Sequence, residues 1–326
     1  MIYADQRWVG NHGIGRFARH MLAGLEYQSI PLTSHPAAPL DSWRLAQALR
    51  KTTSNDLFFS PGYNTPLFSS SKLVFTIHDL SHVFCPENSS LLIRLYYATV
   101  LKKACQVATR ILTVSDFTRT QIAKWSGVAM NKIFNVGCGV DSRYHPGGDT
   151  YGIPFPYLLC VSNRKPHKNE FRMVEAFAKA SVDPNIHLVF TGPSDPALGR
   201  WIRQLGISSR VDFLGTVPER KLPSLYRGAR GLLFASLYEG FGLPILEAMA
   251  CGTPVMTSKT TAMPEVAGNA ALLVDPVRTS ELAEAIEQLV HDSAIRIRLQ
   301  EKGFDNAARF SWDHTQRQVH ELLHSL

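Results

Sequence analysis

Short apolar runs alternate with amphipathic stretches along nearly the whole chain. In the first half, DLFFS (56–60), KLVFTI (72–77), RILTV (110–114) and KIFNV (132–136) read as buried strands. Between them, 3.6-residue apolar periods predict helices at 15–25, 43–51, 91–108 and 116–125, the last with Ser115 as N-cap. The pattern restarts in the second half with strands at 157–161, 187–191, 211–214, 231–235 and 254–257. Helices follow at 169–180, 196–205, 222–228, 244–251, 280–291 and 294–308, and 312–326 reads as one more. Strands alternating with helices predict an α/β protein with parallel sheets. The stretch YHPGGDTYGIPFP (144–156) has no apolar period and reads as a linker, which divides the chain into 1–150 and 151–311.

Composition narrows the class. A chain of 326 residues suits two domains, and 45% hydrophobic with 19% charged residues describes a soluble globular protein. No run of eighteen apolar residues occurs and MIYADQRWVG has no signal-peptide pattern, so cytoplasmic residence is the default expectation. The five cysteines lack CxxC spacing, which points to neither a disulfide framework nor a zinc site. The net charge of +7 is uneven: residues 1–150 hold 15 Lys and Arg against 9 Asp and Glu, a surplus of +6. That surplus suits anionic lipid or a phosphorylated acceptor. Nucleic acid is disfavoured, because no compact basic run carries interleaved aromatics.

The most informative segment is EGFGLPILEAMACGTP (239–254). Pro244 suits a first helical turn, so Glu239 belongs to the preceding loop and Glu247 lies about one turn inside the helix. Amides of Phe241, Gly242 and Leu243 would point outward at the positive end of the helix dipole, where anions bind. A basic loop, Asn163 to Asn169, follows the strand YLLCV and opens a helix. Arg164 and Lys168 there stand where α/β proteins bind phosphate. Gly13 and Gly15 of GNHGIGRF permit close backbone approach, and His78 stands at a strand's carboxyl end.

The 239–254 segment, with its Glu239, Phe241-Gly242, Glu247 and GTPV, resembles the signature of glycosyltransferase family 4, retaining enzymes of the GT-B fold. GNHGIGRF, HDL followed by Pro86-Glu87, SDFT at 115–118 and Pro264-Glu265-Val266 are similar to further family motifs. The resemblance implies two doubly wound Rossmann-like domains facing across a cleft, with the last helix (312–326) packing back on the first domain. It implies that Glu239 contacts the donor sugar, Glu247 the ribose diol, Lys168 and Arg164 the diphosphate, and His78 the transferred sugar. Gly13 and Gly15, with the amides of Phe241, Gly242 and Leu243, would line the donor site. Asn269 replaces the family's usual Asp.

No Asp-x-Asp pair occurs, so no divalent metal or other cofactor is expected. The expected reaction is retaining transfer of a sugar, mannose from GDP-mannose by similarity to bacterial mannosyltransferases. The acceptor would be a saccharide or lipid-diphosphate-linked saccharide, with peripheral contact at the inner membrane face through the basic first half. A UDP-sugar donor and a sugar-nucleotide isomerase or epimerase are the alternatives. A dinucleotide oxidoreductase is disfavoured, since GNHGIGRF lacks an acid about twenty residues on. A binding or scaffold module is disfavoured because both glutamates are present.

Overall fold

The protein is described from a computed structural model that covers residues 1–38, 40–85, 87 and 89–326. Pro86 of the HDL…Pro-Glu motif lies outside the described residues. The chain divides into two compact units, Met1–Gly139 with Ser311–Leu326, and Val140–Phe310.

Unit 1 contains β1 (Ile2–Ala4), α1 (Gly13–Leu22), β2 (Gln28–Ser29), α2 (Asp41–Ala48), β3 (Leu57–Ser60), β4 (Lys72–Ile77), α3 (Ser81–Phe84), α4 (Leu91–Tyr96), α5 (Lys102–Val107), β5 (Arg110–Thr113), α6 (Asp116–Ser126) and β6 (Ile133–Asn135). A π-helical turn, Tyr97–Leu101, joins α4 to α5. The strands form one parallel sheet in the order β2-β1-β3-β4-β5-β6. Phe58, Phe75, Ile77 and Ile111 project from it into a core with Leu45, Leu101 and Ile122.

Unit 2 contains β7 (Tyr157–Cys160), α7 (Glu170–Lys179), β8 (His187–Phe190), α8 (Pro196–Gln204), β9 (Val211–Phe213), α9 (Leu222–Gly228), β10 (Gly231–Phe234), α10 (Leu243–Ala250), β11 (Val255–Ser258), α11 (Met263–Ala267), β12 (Ala271–Val274), α12 (Thr279–His291) and α13 (Ser293–Ala308). Its parallel sheet runs β12-β11-β10-β7-β8-β9. That is the doubly wound dinucleotide-fold order, whose switch point falls between β7 and β10. Leu158, Leu188, Phe190 and Leu233 pack against Phe177, Ile202, Ile286 and Leu289.

The last helix, α14 (Trp312–His324), belongs to unit 1. Trp312 stacks on His20 of α1 with ring centroids 4.5 Å apart, and Gln316 donates to the carbonyls of His20 and Ala23. The boundary falls at Gly139 rather than at the linker read at 144–156, and the reason is physical. Tyr144 packs edge-on to Tyr226, and Arg227 donates to the carbonyls of His145 and Asp149, so this Gly- and Pro-rich stretch is fastened to unit 2. All five cysteines are free and buried. Among the described residues no helix is long and apolar enough to cross a membrane.

Candidate active site

In unit 2, the chain leaving β7 turns towards β8 on one side, while β10 lies on the other. The loops after β7 and β10 therefore diverge around an opening at the carboxyl edge of the sheet, where such folds bind ligands. Three contacts tie the two loops together. Leu237 donates its amide to the carbonyl of His167 at 2.7 Å. Asn169 Nδ2 donates to the carbonyls of Ala235 and Pro276 at 2.9 and 2.7 Å. Lys168 Nζ lies 2.5 Å from Glu239 Oε1 and 5.3 Å from the centroid of the Phe234 ring. Asn169 makes its two bonds from a left-handed backbone, φ 62°, a conformation that Asn tolerates better than most side chains.

Lys168 and Glu239 thus form a half-buried ion pair at the mouth of the switch point, with side chains 15% and 14% exposed. The amide of Glu239 donates to Thr261 Oγ1, and Thr261 itself sits at φ 60°, unusual for a β-branched residue. Gly242 precedes α10 at φ 107°, a backbone closed to most side chains, and a Cβ there would also press on Ile245 at 3.1 Å. Leu243 and Pro244 then begin the helix. Phe241 is buried and meets Phe310 edge-on at 5.9 Å, so its ring anchors the loop while its backbone belongs to the helix entry.

Glu247 is 2% exposed, one turn into α10, and its Oε2 accepts a 2.8 Å hydrogen bond from the hydroxyl of Tyr226 on α9. Burial of an acid this complete demands such partners. Arg164 points elsewhere. From φ 63°, its guanidinium donates to the carbonyls of Thr191 and Pro193 at 2.6 and 2.9 Å and pairs with Glu170 at 2.5 Å. It also lies over Phe190 and Phe213, 5.0 and 5.1 Å from the ring centroids. The structure brings Lys168 and Glu239 together and turns Arg164 onto the β8–β9 side, where it ties the loops after β7 and β8.

In unit 1, His78 follows β4 and is buried, its Nε2 2.8 Å from the carbonyl of Pro61. That contact assigns Nε2–H as donor and leaves Nδ1 as acceptor. Phe17 meets the ring edge-on at 4.9 Å. Burial pushes the imidazole pKa down to about 4, against which the bond to Pro61 acts only partly. The ring is neutral near pH 7 and suited to a hydrogen bond rather than to a charge. Gly13 and Gly15 form the first turn of α1, capped by His12, whose Nδ1 accepts the Gly15 amide at 3.1 Å. A Cβ on Gly15 would lie 2.5 Å from backbone atoms of Gly10, so the loop closes on itself only with glycine there. Beneath it, Arg7 is clamped between the buried Asp5 and Asp41, and Asn64 Nδ2 donates to both carboxylates.

Tyr226, Asn169, Thr261 and His12 are the residues that sequence reasoning missed. Asn169 alone had a usable signal, as an Asn at the start of a predicted helix. Among the described residues no group of three or more His, Cys, Asp or Glu is arranged to hold a metal.

A doubly wound unit with an acid–base pair at its switch point, joined in one chain to a second parallel α/β unit, defines the GT-B class of sugar-transferring enzymes. Sucrose-phosphate synthase from Thermosynechococcus elongatus superposes with a TM-score of 0.80 over 99% of this chain and 98% of that one, at 21% identity. Anabaena HepE in complex with UDP-glucose gives 0.77 over 100% and 99%, at 20% identity. Residues 13–144 match Glycosyltransferase Family 4, and residues 154–306 match Glycosyl transferases group 1. The O-antigen chain mannosyltransferase B of Escherichia coli is 31% identical over 325 residues, 95% of this chain and 83% of that protein. The chain belongs to glycosyltransferase family 4 and is a glycosyltransferase.

Proposed function

We propose that this glycosyltransferase moves mannose from GDP-mannose to a hydroxyl of a saccharide or lipid-linked saccharide in cell-surface polysaccharide synthesis, with retention of configuration and no divalent metal. The observation that carries the chemistry is the Lys168–Glu239 pair at the β7/β10 switch point. The likeness to an O-antigen mannosyltransferase along nearly the whole chain supports the sugar.

In this reading the donor diphosphate takes over the Lys168 ammonium and lies against the start of α10, where backbone amides and the helix dipole favour negative charge. Released from Lys168, Glu239 accepts hydrogen bonds from the mannose hydroxyls. Glu247, aimed by Tyr226, accepts two charge-assisted bonds from the ribose diol. The acceptor oxygen bonds to the anomeric carbon as its bond to the diphosphate breaks on the same face, and the acceptor proton passes to the departing diphosphate oxygen. Lys168 stabilises the charge that grows there, usually the largest catalytic contribution. Arg164 supports this from behind by fixing the loop that presents Lys168. His78, neutral and oriented by Pro61, offers Nδ1 to a hydroxyl of the transferred sugar. The Gly13–Gly15 turn offers the donor close backbone approach.

A UDP-sugar donor is the second reading, favoured by the fold shared with HepE in complex with UDP-glucose. Nucleotide release from GDP-mannose and from UDP-glucose, measured with wild type, Lys168→Met and Glu239→Gln, tests the assignment. GDP-mannose should turn over, and Lys168→Met should lower kcat by roughly a hundredfold or more. Unchanged kcat in both variants, or turnover of UDP-glucose alone, would overturn it.

A further inference from the structure

Backbone strain gathers around the Lys168–Glu239 pair. Among the described residues four non-glycine positions have positive φ, and three of them, Arg164, Asn169 and Thr261, lie in the loops after β7 and β11. Arg164 and Asn169 are held in that conformation by side-chain bonds to the flanking loops. Thr261 is the sharpest departure, because a β-branched side chain suits the left-handed region least. Such strain persists only where the surroundings over-determine it.

Here they do. At one end of the turn, the amide of Lys259 bonds to the carbonyl of Val274 at 2.8 Å, and its ammonium lies 3.4 Å from both Asp275 and Glu281. At the other end Ala262 and Met263 are fully buried where α11 begins. Thr260 and Thr261 alone span the interval. The turn they make aims Thr261 Oγ1 at the amide of Glu239, 3.4 Å away.

That bond extends a series. Beyond β10 the chain leaves the sheet, and side chains take over from the strand ladder. From β11, Thr257 Oγ1 donates to the carbonyl of Phe234 at 2.9 Å and Ser258 Oγ to that of Ser236 at 2.6 Å. From the β7 side, Asn169 donates to the carbonyl of Ala235, and the carbonyl of His167 accepts the amide of Leu237. Residues 234–237 are thus held alternately from two sides, and Thr261 carries the series to Glu239. The bond is long while Lys168 holds the carboxylate, and hydrogen bonds of this kind tighten once substrate is in place.

We propose that Thr261 is a positioning residue, whose strained turn fixes the Glu239 backbone so that the carboxylate meets the hydroxyls of the transferred sugar. This gives a role to the segment leading into Pro264-Glu265-Val266, and it rests on the reading above for the part played by Glu239. Nucleotide release from GDP-mannose and UDP-glucose, calorimetric titration of GDP and thermal melts test it on the full chain. Thr261→Val keeps the strain and loses the hydroxyl, whereas Thr261→Gly loses both. Each should lower kcat by about tenfold to a hundredfold, the scale of a small misplacement at the reacting centre. Thr261→Ser keeps the hydroxyl and should keep the wild-type kcat. GDP lacks the transferred sugar, so its affinity should be unchanged in all of these variants. Thr261→Gly should also melt no lower than wild type, since glycine adopts this backbone freely. A sound fold with lost turnover is a combination that structural support alone would not produce. The neighbouring hydroxyl of Thr260 has no partner among the described residues, so Thr260→Val should match wild type throughout. Wild-type kcat in Thr261→Val and Thr261→Gly, or GDP affinity and melting point falling together with kcat in Thr261→Gly, would overturn this proposal alone. Unchanged kcat in Glu239→Gln, or no turnover of either donor by wild type, would overturn the reading above and this one with it.

Discussion

Replacing Tyr226 by Phe removes one oxygen, about 2.8 Å from Glu247 Oε2, and leaves the packing of a fully buried ring in place. The variant tests whether Glu247 is a ribose ligand aimed by its neighbour. A hydrogen bond to a charged group contributes about 1.5–3 kcal/mol, so losing this one from a buried carboxylate is destabilising. Tyr226→Phe should therefore destabilise unit 2 by about 1–3 kcal/mol, a shift of roughly 2–4 °C in Tm per kcal/mol for a unit this size. Glu247→Gln keeps an acceptor for Tyr226 and discards the charge, so its melting point should fall less. Nucleotide affinity should fall in both. Glu247→Gln loses the charge assistance of two ribose bonds and should weaken GDP roughly tenfold or more, equivalent to about 1.4 kcal/mol. Tyr226→Phe should weaken it severalfold by loosening the carboxylate. Because the residues touch, the double variant should fall short of the sum, with a coupling of roughly 0.5–3 kcal/mol. Calorimetric titration of GDP into the four proteins, with thermal melts alongside, supplies every quantity. Wild-type affinity in Glu247→Gln would refute the assignment of Glu247 to the ribose, and strict additivity would refute the aiming role of Tyr226.

His78 has a native pKa near 4, below its ordinary 6.5, so its contribution to stability is complete above pH 6.5 and is lost as pH falls towards 4. Urea unfolding at pH 7 and pH 4.5 should show a loss on the order of 2–3 kcal/mol that His78→Gln largely removes; an NMR titration of the ring centred near 6.5 would contradict this. Arg164→Lys should lower stability by about 2 kcal/mol, because an ammonium cannot reproduce a fork spanning Glu170 and three carbonyls, and a melting curve unchanged from wild type would count against it. Gly15→Ala places a Cβ 2.5 Å from the Gly10 backbone and should cost about 1–3 kcal/mol in a thermal melt; a neutral effect would show that the turn has room.

Much of this architecture is legible in the sequence because local and tertiary signals agree. The segment from Glu239 to Thr253 carries a proline for the first turn, a glycine at each end and an apolar face, and α10 forms where those features place it. Strands of four to six strongly apolar residues, such as β3, β4 and β7, are visible for the same reason. β1 and β2 are missed because three and two residues give no period, and both residues of β2 are exposed. β12 is missed because three of its four residues are not buried.

Side-chain direction is less legible than position. The sequence places Arg164 in the loop after β7, but only the folded unit shows Phe190 and Phe213 offering their faces and Thr191 its carbonyl to the guanidinium. Tyr226 lies twenty-one residues from Glu247, and nothing local marks the hydroxyl that the carboxylate will meet. The stretch 144–156 looks like a linker because glycine and proline dominate it, and it is held by Arg227, a residue far along the chain. Lys168 and Glu239 are readable singly from their motifs, and their contact follows from β7 and β10 being neighbours in the sheet.

The most direct test of the account is the stereochemistry of the product formed from GDP-mannose and a mannose-terminated acceptor with EDTA present, read from the one-bond C–H coupling at the new anomeric centre by NMR. An α-mannoside formed at the rate seen without EDTA is the predicted result: retention, driven by Lys168 and the α10 amides in place of a metal. A β-mannoside, or transfer that stops with EDTA and resumes with magnesium, would contradict it.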